Sequence, residues 1–261
     1  LIYFAFKLWN TIFILEDMDK SWKAFDDAFE VETQKCRDNN EDLNSETFYG
    51  PAPLLSSNQR QPGPRDITLR QLYVQCQKEF DVFRAIMFMC EKKGGFIGND
   101  ENLIELRRSD GPSLKRLRRA KEKIRLDYDG DVGRIKDLLR GAIYCDDLKD
   151  MGDVWIEVQT LEQQGYFVVE QIKNRFHPKS DSVHGYRDLN LILRIGNVLA
   201  ELQIILTPFA DLKKKQHRSY ELARSLGLVG PLGKPSSGSP SNRYIKFTSN
   251  SASKRTRLAL L

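Results

Sequence analysis

The stretch "YRDLNLILRIGNVLAELQIIL", residues 186–206, decides the fold. Its two halves alternate with the period of two that is typical of β-strands, and Gly196-Asn197 between them predicts a tight hairpin turn. One face of the second strand is wholly apolar and comprises Val198, Ala200, Leu202, Ile204 and Leu206. Its reverse carries Glu201 and Gln203, and the first strand places Tyr186, Asp188, Asn190 and Ile192 on one face. The pattern predicts an antiparallel hairpin with one buried face and one partly polar face.

Upstream of this hairpin, strand-like runs alternate with a helical pattern. The runs "LLRGAIYC" (138–145) and "YFVVEQIKNRF" (166–176) flank residues 147–165, whose apolar spacing is that of a crossover helix. Strand, helix, strand and hairpin in this order predict an α/β fold with a mixed β-sheet flanked by helices.

The remaining segments differ in composition. Residues 1–37 form an N-terminal apolar and helical segment, and residues 38–65 a Pro-rich linker or arm. Residues 66–112 are a helical region that Asp66 or Thr68 can cap, with an apolar stripe ending before Gly94-Gly95. The α/β domain spans 113–227, and a Ser, Gly and Pro-rich basic tail spans 228–261. Residues 1–65 and the tail are candidate contacts for protein partners.

Composition favours a soluble globular protein, since 40% of the 261 residues are hydrophobic and 30% charged. The opening run "LIYFAFKLWNTIFIL" is interrupted by Lys7 and Asn10, and a membrane span needs about 20 apolar residues. A packing helix is therefore predicted, with the end of a membrane helix as the weaker alternative. The four cysteines show no metal-ligand spacing, which indicates reduced thiols and an intracellular reducing compartment, either cytoplasm or an organelle interior.

The net charge of +5 suits an anionic partner such as a nucleotide, although a solvated basic face gives the same balance. The densely basic segment 113–136 has the same two interpretations, of which a solvated amphipathic helix is the simpler. An RNA-modifying transferase is a weaker alternative, because only this segment favours nucleic acid.

Two carboxylates stand where a buried sheet should be apolar. Glu201 lies in the middle of a strand, where a carboxylate costs several kcal/mol unless it is paired or bound to a cation, and Asp137 immediately precedes the first strand. If these strands are neighbours, Asp137 and Glu201 converge and can hold Mg²⁺ against phosphates. The structural alternatives are a salt bridge from Glu201 to a lysine and a turn capped by Asp137.

Basic and aromatic residues near these carboxylates suit phosphoryl transfer. A positive wall can be supplied by Lys115, Arg119, Lys121, Lys173 and Arg175, and Arg140 follows Asp137 in the first strand. Tyr186 can stack on a base, or it can close the core with its hydroxyl hydrogen-bonded.

The order "KDLLRGAIY … VEQIKNRFHPK … HGYRDLNL … AELQI … KQHRSYELAR" resembles the RelA/SpoT (p)ppGpp synthetase domain over about residues 113–226. The resemblance implies a nucleotidyltransferase-type fold and Mg²⁺-dependent transfer of pyrophosphate from ATP to the 3′-hydroxyl of a guanine nucleotide. By this resemblance, Asp137 and Glu201 bind the magnesium of ATP, and Tyr186 stacks on the guanine of the acceptor. Lys173, Arg175 and Lys179 correspond to positions lining the acceptor's phosphates, and Gln203, His217 and Tyr220 to supporting positions.

The sequence departs from that family at several positions. Asp188 and Asn190 stand where the family has Ser and His, and Ile205-Leu206 replace its Arg-Thr. In place of the family's ATP loop the chain offers Lys115 with Arg119, or Arg119 with Lys121. The alternative function is therefore a divergent member without turnover, acting as a structural or binding subunit of a larger assembly.

Overall fold

A computed structural model describes residues 2–38, 54, 60–91, 95–98, 112–176 and 186–214. Side chains are described from residue 16 onward, except at 18, 19, 21, 22 and 95–98. The predicted tail, together with Lys179, His217 and Tyr220, lies outside the described residues.

A six-stranded mixed sheet forms the centre of the molecule. Its strands are β1 (Gly95–Gly98), β2 (Ser113–Leu114), β3 (Leu139–Cys145), β4 (Val168–Asn174), β5 (Leu189–Ile195) and β6 (Val198–Leu206). The strand order is β1-β3-β6-β5-β4, with β2 also paired to β3. Only β3 and β6 are parallel, and all other pairs are antiparallel. The predicted α/β class with a mixed sheet is confirmed.

The hairpin at 186–206 has the predicted register. Ile195 pairs with Val198 across a turn in which Gly196 has φ +51°, a left-handed conformation that glycine adopts without strain. The apolar face of β6, from Val198 to Leu206, is fully buried as the alternation predicts. The first strand starts at Leu189, later than predicted, so residues 186–188 form the approach to it.

Three helices cover the apolar face of the sheet: α2 (Leu69–Lys78), α3 (Phe80–Glu91) and α5 (Leu148–Gln163). Thr68 caps α2 through a capping box with Gln71, as one of the two predicted caps. The single helix predicted over this region is wrong, because the chain breaks at Glu79, whose φ of −89° and ψ of 0° separate α2 from α3. The buried side chains of these helices include Leu72, Cys76, Phe83, Met87, Val154 and Val158.

Two further helices precede the central strands. Helix α1 (Ile2–Asp38) packs Phe25 against Phe209, with ring centroids 5.6 Å apart. Helix α4 (Leu117–Asp127) occupies the basic segment, followed by a 3₁₀ turn at Val132–Arg134. Within the described part of the chain, no helix is both long enough and apolar enough to cross a bilayer.

Gln61, within the predicted linker, joins the approach to β3 to the start of β6. Its side chain is buried, donates to the carbonyl of Ile135 at 2.7 Å and accepts from the backbone N–H of Leu199, also at 2.7 Å. Its backbone N–H donates to Gly133 at 2.6 Å. At least this part of the linker is therefore fixed to the approach to β3 and to β6. The division of the chain into five segments stays a prediction.

The four cysteines, Cys36, Cys76, Cys90 and Cys145, are buried and are not joined in disulfides. Burial raises the pKa of Cys76 and of Cys90 to about 12, so both are protonated thiols packed in the core at neutral pH. The predicted compartment stays a prediction.

The close contact of α3 with β3 depends on Gly141, because a Cβ there would collide with the thioether of Met87. We expect Gly141→Val to lower the free energy of unfolding by about 1–3 kcal/mol, measured by urea denaturation. Met87→Ala should reduce that penalty in the double variant, because it removes the colliding atoms. Strictly additive costs would contradict this account of the contact.

Candidate active site

The face of the sheet opposite α2, α3 and α5 carries a row of polar side chains. Register places Arg140 of β3 beside Glu201 of β6, and Gln203 of β6 beside Asn190 of β5. Lys173 of β4 is the neighbour of Asn190 on its other side. The four central strands therefore bring these five polar residues together on one surface, which we call the polar face.

Asp137 lies buried at the approach to β3, beside this face. Its Oδ2 accepts hydrogen bonds from Lys115 and Lys123, each at 2.7 Å. Burial alone would raise the pKa of Asp137, but the positive charges of Lys123 and Lys115 hold it well below its usual range. Its other oxygen, Oδ1, is buried and has no hydrogen-bond partner among the described residues.

The pKa values of the two lysines that bind Asp137 are shifted in opposite directions. Burial lowers the pKa of Lys115 by more than Asp137 raises it, and repulsion from Lys123 adds to that lowering. Burial also disfavours the charge on Lys123, but Asp137, Tyr128 and Glu201 together raise its pKa above its usual value. Both predicted catalytic carboxylates therefore favour the charged form of Lys123.

Glu201 is oriented by its neighbour in the hairpin. The Nδ2 of Asn190 donates to Oε1 of Glu201 at 2.7 Å. Among the described residues no bond engages Oε2 of Glu201, which leaves one oxygen available. The alternative salt bridge from Glu201 to a lysine is absent from the described residues, since its bonded partner there is an amide.

Strand β4 contributes positive charge to the polar face. Lys173 is half-buried and makes no hydrogen bond or ion pair with the described residues, and burial and then Arg175 lower its pKa. Lys136 donates to Gln171 at 3.1 Å, and burial, Lys173 and Arg134 lower its pKa to about 8. Two amines with lowered pKa values side by side favour an anionic ligand.

Asp188 is completely buried and holds two candidate residues in place. It forms an ion pair with Arg175 and accepts a hydrogen bond from the hydroxyl of Tyr186 at 3.0 Å. Arg175 also donates its backbone N–H to the carbonyl of Asp188 at 2.9 Å. The Asp that departs from the family pattern therefore has a structural role: it neutralises Arg175 and fixes the ring of Tyr186.

The ring of Tyr186 is half-buried between aromatic and cationic groups. Phe25 of α1 meets it edge to face at 5.5 Å. Arg175 and Lys213 lie 5.6 Å and 5.5 Å from its centroid, within cation–π range. Tyr186 therefore packs against the core with its hydroxyl hydrogen-bonded, which is the second of its two predicted roles. Stacking on a base stays a prediction.

Other predicted residues are placed as follows. Arg119 is exposed on α4 and pairs with Glu122 of the same helix, and Lys121 is exposed on the side of α4 away from Lys123. The structure therefore brings Lys115 to Asp137 but does not bring Lys121 there. Gln203 accepts a hydrogen bond from Lys213 at 3.1 Å.

Sequence reasoning missed several residues of this site, chiefly Lys123 and Lys136. Lys123 is adjacent to buried Ile124 and one turn after buried Ala120, so it lies on the inward side of α4. That spacing is the signal that could have separated Lys123 from Lys121. Lys136 directly precedes Asp137, and its side chain crosses to Gln171 of β4, which only the sheet order reveals.

The oxygen atoms of Asp137 and Glu201 are the candidate ligands for Mg²⁺ in this site. Among the described residues no group of three or more His, Cys, Asp or Glu could hold a metal ion. Mg²⁺ that arrives with a nucleotide is usually held by one or two carboxylates together with phosphates and water. The unpartnered Oδ1 of Asp137 and the available Oε2 of Glu201 are hard oxygen donors of that type, so these residues fit the ion.

No family model matches the sequence, and no curated protein matches it. Among solved structures, the chain is similar to small alarmone synthetase 1 from Bacillus subtilis, with 15% identity over 60% of this chain and 90% of that chain, and a TM-score of 0.39. It is similar to a GTP pyrophosphokinase family protein from Streptococcus pneumoniae at 16% identity, over 62% of this chain and 93% of that one, with a TM-score of 0.37.

A third likeness is to the complex of the Type VI effector Tas1 with its immunity protein, at 19% identity over 63% of this chain and 78% of that chain, with a TM-score of 0.39. At these identities and TM-scores the likenesses carry no part of the functional argument, which rests on the residues of the polar face.

Asp137 should contribute stability that depends on pH. Its pKa is held low in the folded state, whereas in the unfolded chain it returns to about its ordinary value of 3.8. The unfolded chain then binds the extra proton, so this contribution is present above pH 3.8 and is lost as the pH falls further. We expect urea denaturation to show it as a free energy of unfolding that falls below about pH 5.

Asp137→Asn should lack that part of the pH dependence. At pH 7 it should also lose about 3–5 kcal/mol, because Lys115 and Lys123 would keep buried charges without a counter-ion. Asp153→Asn, on the exposed side of α5, is the matched control and should change stability by less than about 0.5 kcal/mol. An Asp137→Asn variant with the wild-type pH dependence would contradict the assignment.

Proposed function

We propose that the protein is a Mg²⁺-dependent nucleotide pyrophosphokinase, which transfers pyrophosphate from ATP to the 3′-hydroxyl of a guanine nucleotide. The observation that carries the proposal is the pair of carboxylates at one end of a cationic sheet face. Asp137 keeps one buried oxygen unpartnered among the described residues, and Asn190 orients the carboxylate of Glu201. Lys173, on the same face, makes no hydrogen bond or ion pair with the described residues, so the face offers positive charge to an anionic ligand.

The cations of the face divide between two places. Lys115 and Lys123 bind the carboxylate of Asp137, where the ATP phosphates would lie. Lys173 of β4, and Lys136, whose side chain reaches Gln171 of β4, lie where the acceptor phosphates would lie. Fixed positive groups that need not reorganise are what phosphoryl-type transfer requires, because its transition state spreads charge over non-bridging oxygens.

Asp137 and Glu201 would hold the ion, and Mg²⁺ bound there would neutralise charge on the phosphates of ATP. The protein's own groups would then position the reactants: Tyr186 presents a ring fixed by Asp188, and the β4 cations hold the acceptor's phosphates. In the transfer the 3′-hydroxyl would give up its proton to solvent and its oxygen would bond to the β-phosphorus, while the bond from that phosphorus to the α–β bridging oxygen breaks and AMP leaves.

A second candidate is a protein of this fold that binds nucleotides without turnover, as a subunit of an assembly. The observation that favours it is the pairing of both Lys115 and Lys123 with Asp137, which neutralises the carboxylate before any ion arrives. The apolar pair Ile205-Leu206, buried at the end of β6, also offers no cation to a phosphate. In this candidate, residues 1–65 and 228–261 would meet partner chains.

The two candidates are separated by a transfer assay. With Mg²⁺, γ-labelled ATP and GDP or GTP, we expect label to appear in the acceptor and AMP to be released. Glu201→Gln should reduce the rate by at least about 100-fold, since it removes a charge that acts on the reacting groups. Asp153→Asn, distant from the polar face, should react at the wild-type rate.

Thermal denaturation completes this test. A nucleotide-dependent rise in melting temperature without a labelled product would favour the binding subunit. No product, together with no rise in melting temperature with ATP and Mg²⁺, would contradict both candidates.

Lys136 should make nucleotide affinity depend on pH. The pKa of Lys136 is about 8, so at higher pH the free protein carries a largely neutral amine there. A bound phosphate would raise that pKa, so Lys136 would have to take up a proton on binding, and this costs affinity as the pH rises past 8. We expect the dissociation constant for GDP, measured by isothermal titration calorimetry, to rise from pH 7 to pH 9. Lys136→Arg should flatten the profile because arginine stays charged. An equally steep profile in Lys136→Arg would exclude Lys136 as its cause.

A further inference from the structure

Asn190 has a hydrogen-bonding capacity that the described fold leaves unused. Its side chain is 3% exposed, and its Nδ2 is fixed by the bond to Glu201. Its Oδ1 is buried and has no partner among the described residues. Leaving such an acceptor unsatisfied costs about 1–3 kcal/mol, which a ligand that donates a hydrogen bond would recover.

The place of Asn190 limits what that donor can be. It stands between Lys173 and Gln203 in the sheet, and directly beside Glu201. The bond from Nδ2 to Glu201 fixes the amide plane, so Oδ1 points away from that carboxylate. Ionised phosphates carry no donor, so the donor must come from the sugar or the base of a ligand.

The sugar hydroxyl is the donor that fits. This step rests on the proposed function, in which the reacting 3′-hydroxyl lies at the ion held by Asp137 and Glu201. An acceptor placed in this way would bring its vicinal 2′-hydroxyl within reach of Asn190, because Asn190 is bonded to Glu201. The base belongs instead at Tyr186, four residues earlier along the chain on the approach to β5.

We propose that Asn190 is a specificity-determining residue, whose Oδ1 accepts a hydrogen bond from the 2′-hydroxyl of the acceptor and so selects ribonucleotides over 2′-deoxyribonucleotides. The oxygen is covered in the ligand-free chain, and a neighbouring side chain has to turn away. Lys173 is next to it in register, has no partner among the described residues and has the rotamer freedom to do so. After turning, its amine can donate to the same hydroxyl.

The test is the ratio of the dissociation constants for 2′-deoxy-GDP and GDP, measured by isothermal titration calorimetry without ATP. We expect the wild-type protein to bind GDP about tenfold more tightly. Asn190→Leu and Asn190→Ala should bring the ratio to about one, chiefly by weakening GDP. Asp153→Asn, on the exposed side of α5 and distant from the polar face, is the control and should keep the wild-type ratio.

Three results would overturn the proposal: a wild-type ratio near one, an undiminished ratio in both folded Asn190 variants, or no binding of GDP. An Asn190 variant that raises the Mg²⁺ concentration needed for ATP binding, with an unchanged ratio, would make Oδ1 a metal ligand and would also overturn it. The binding measurement needs no turnover, so the preference for GDP over 2′-deoxy-GDP can be found even in a protein that does not transfer pyrophosphate. Conversely, transfer with a ratio near one would reject only the role of Asn190.

Discussion

The carboxylate of Asp137, shared by Lys115 and Lys123, is the interaction on which the polar face depends. Lys115 follows β2, Lys123 belongs to α4 and Asp137 leads into β3, so one buried oxygen ties three elements together. The backbone reinforces the same joint, because Lys115 donates its N–H to the carbonyl of Leu138 at 2.8 Å and accepts from the hydroxyl of Tyr73 in α2. Removing the carboxylate would leave two amines repelling each other in a poorly solvated site.

The two faces of the sheet have opposite requirements. The face under α2, α3 and α5 is apolar and closely packed, and it supplies the burial that stabilises the fold. On the polar face, charged groups are held in fixed positions by the stable fold beneath them. Burial and neighbouring charges shift the pKa values of several of these groups. Such concentrations of perturbed groups in one place are typical of functional sites. Among the described residues, Oδ1 of Asp137 and Oδ1 of Asn190 are buried on or beside this face without a hydrogen-bond partner, so both can accept a bond from a ligand.

The sequence was sufficient to predict the four strands β3 to β6, because alternation is a local property, but it did not predict the short strands β1 and β2. The hairpin turn at Gly196 and the buried face of β6 followed from spacing alone, and Glu201 was identified by its polarity within an apolar strand. Contacts that join distant segments were beyond this reasoning. Nothing local predicts that Gln61 would join the approaches to β3 and β6, or that Lys136 would reach β4. The break at Glu79 was missed because both halves of that region share one helical spacing.

The central claim is that Asp137 and Glu201 form a cation site for a nucleotide rather than an internal ion pair network. The direct measurement is anomalous diffraction from crystals grown with Mn²⁺, as a substitute for Mg²⁺, and a non-hydrolysable ATP analogue. The account predicts an anomalous peak about 2 Å from Oδ1 of Asp137, with Glu201 as a second ligand and the analogue's phosphates facing Lys115 and Lys123. A contradicting result would be a bound analogue without an anomalous peak at these carboxylates. In that structure Lys115 and Lys123 would still bind Asp137, and Asp137 would have no other partner.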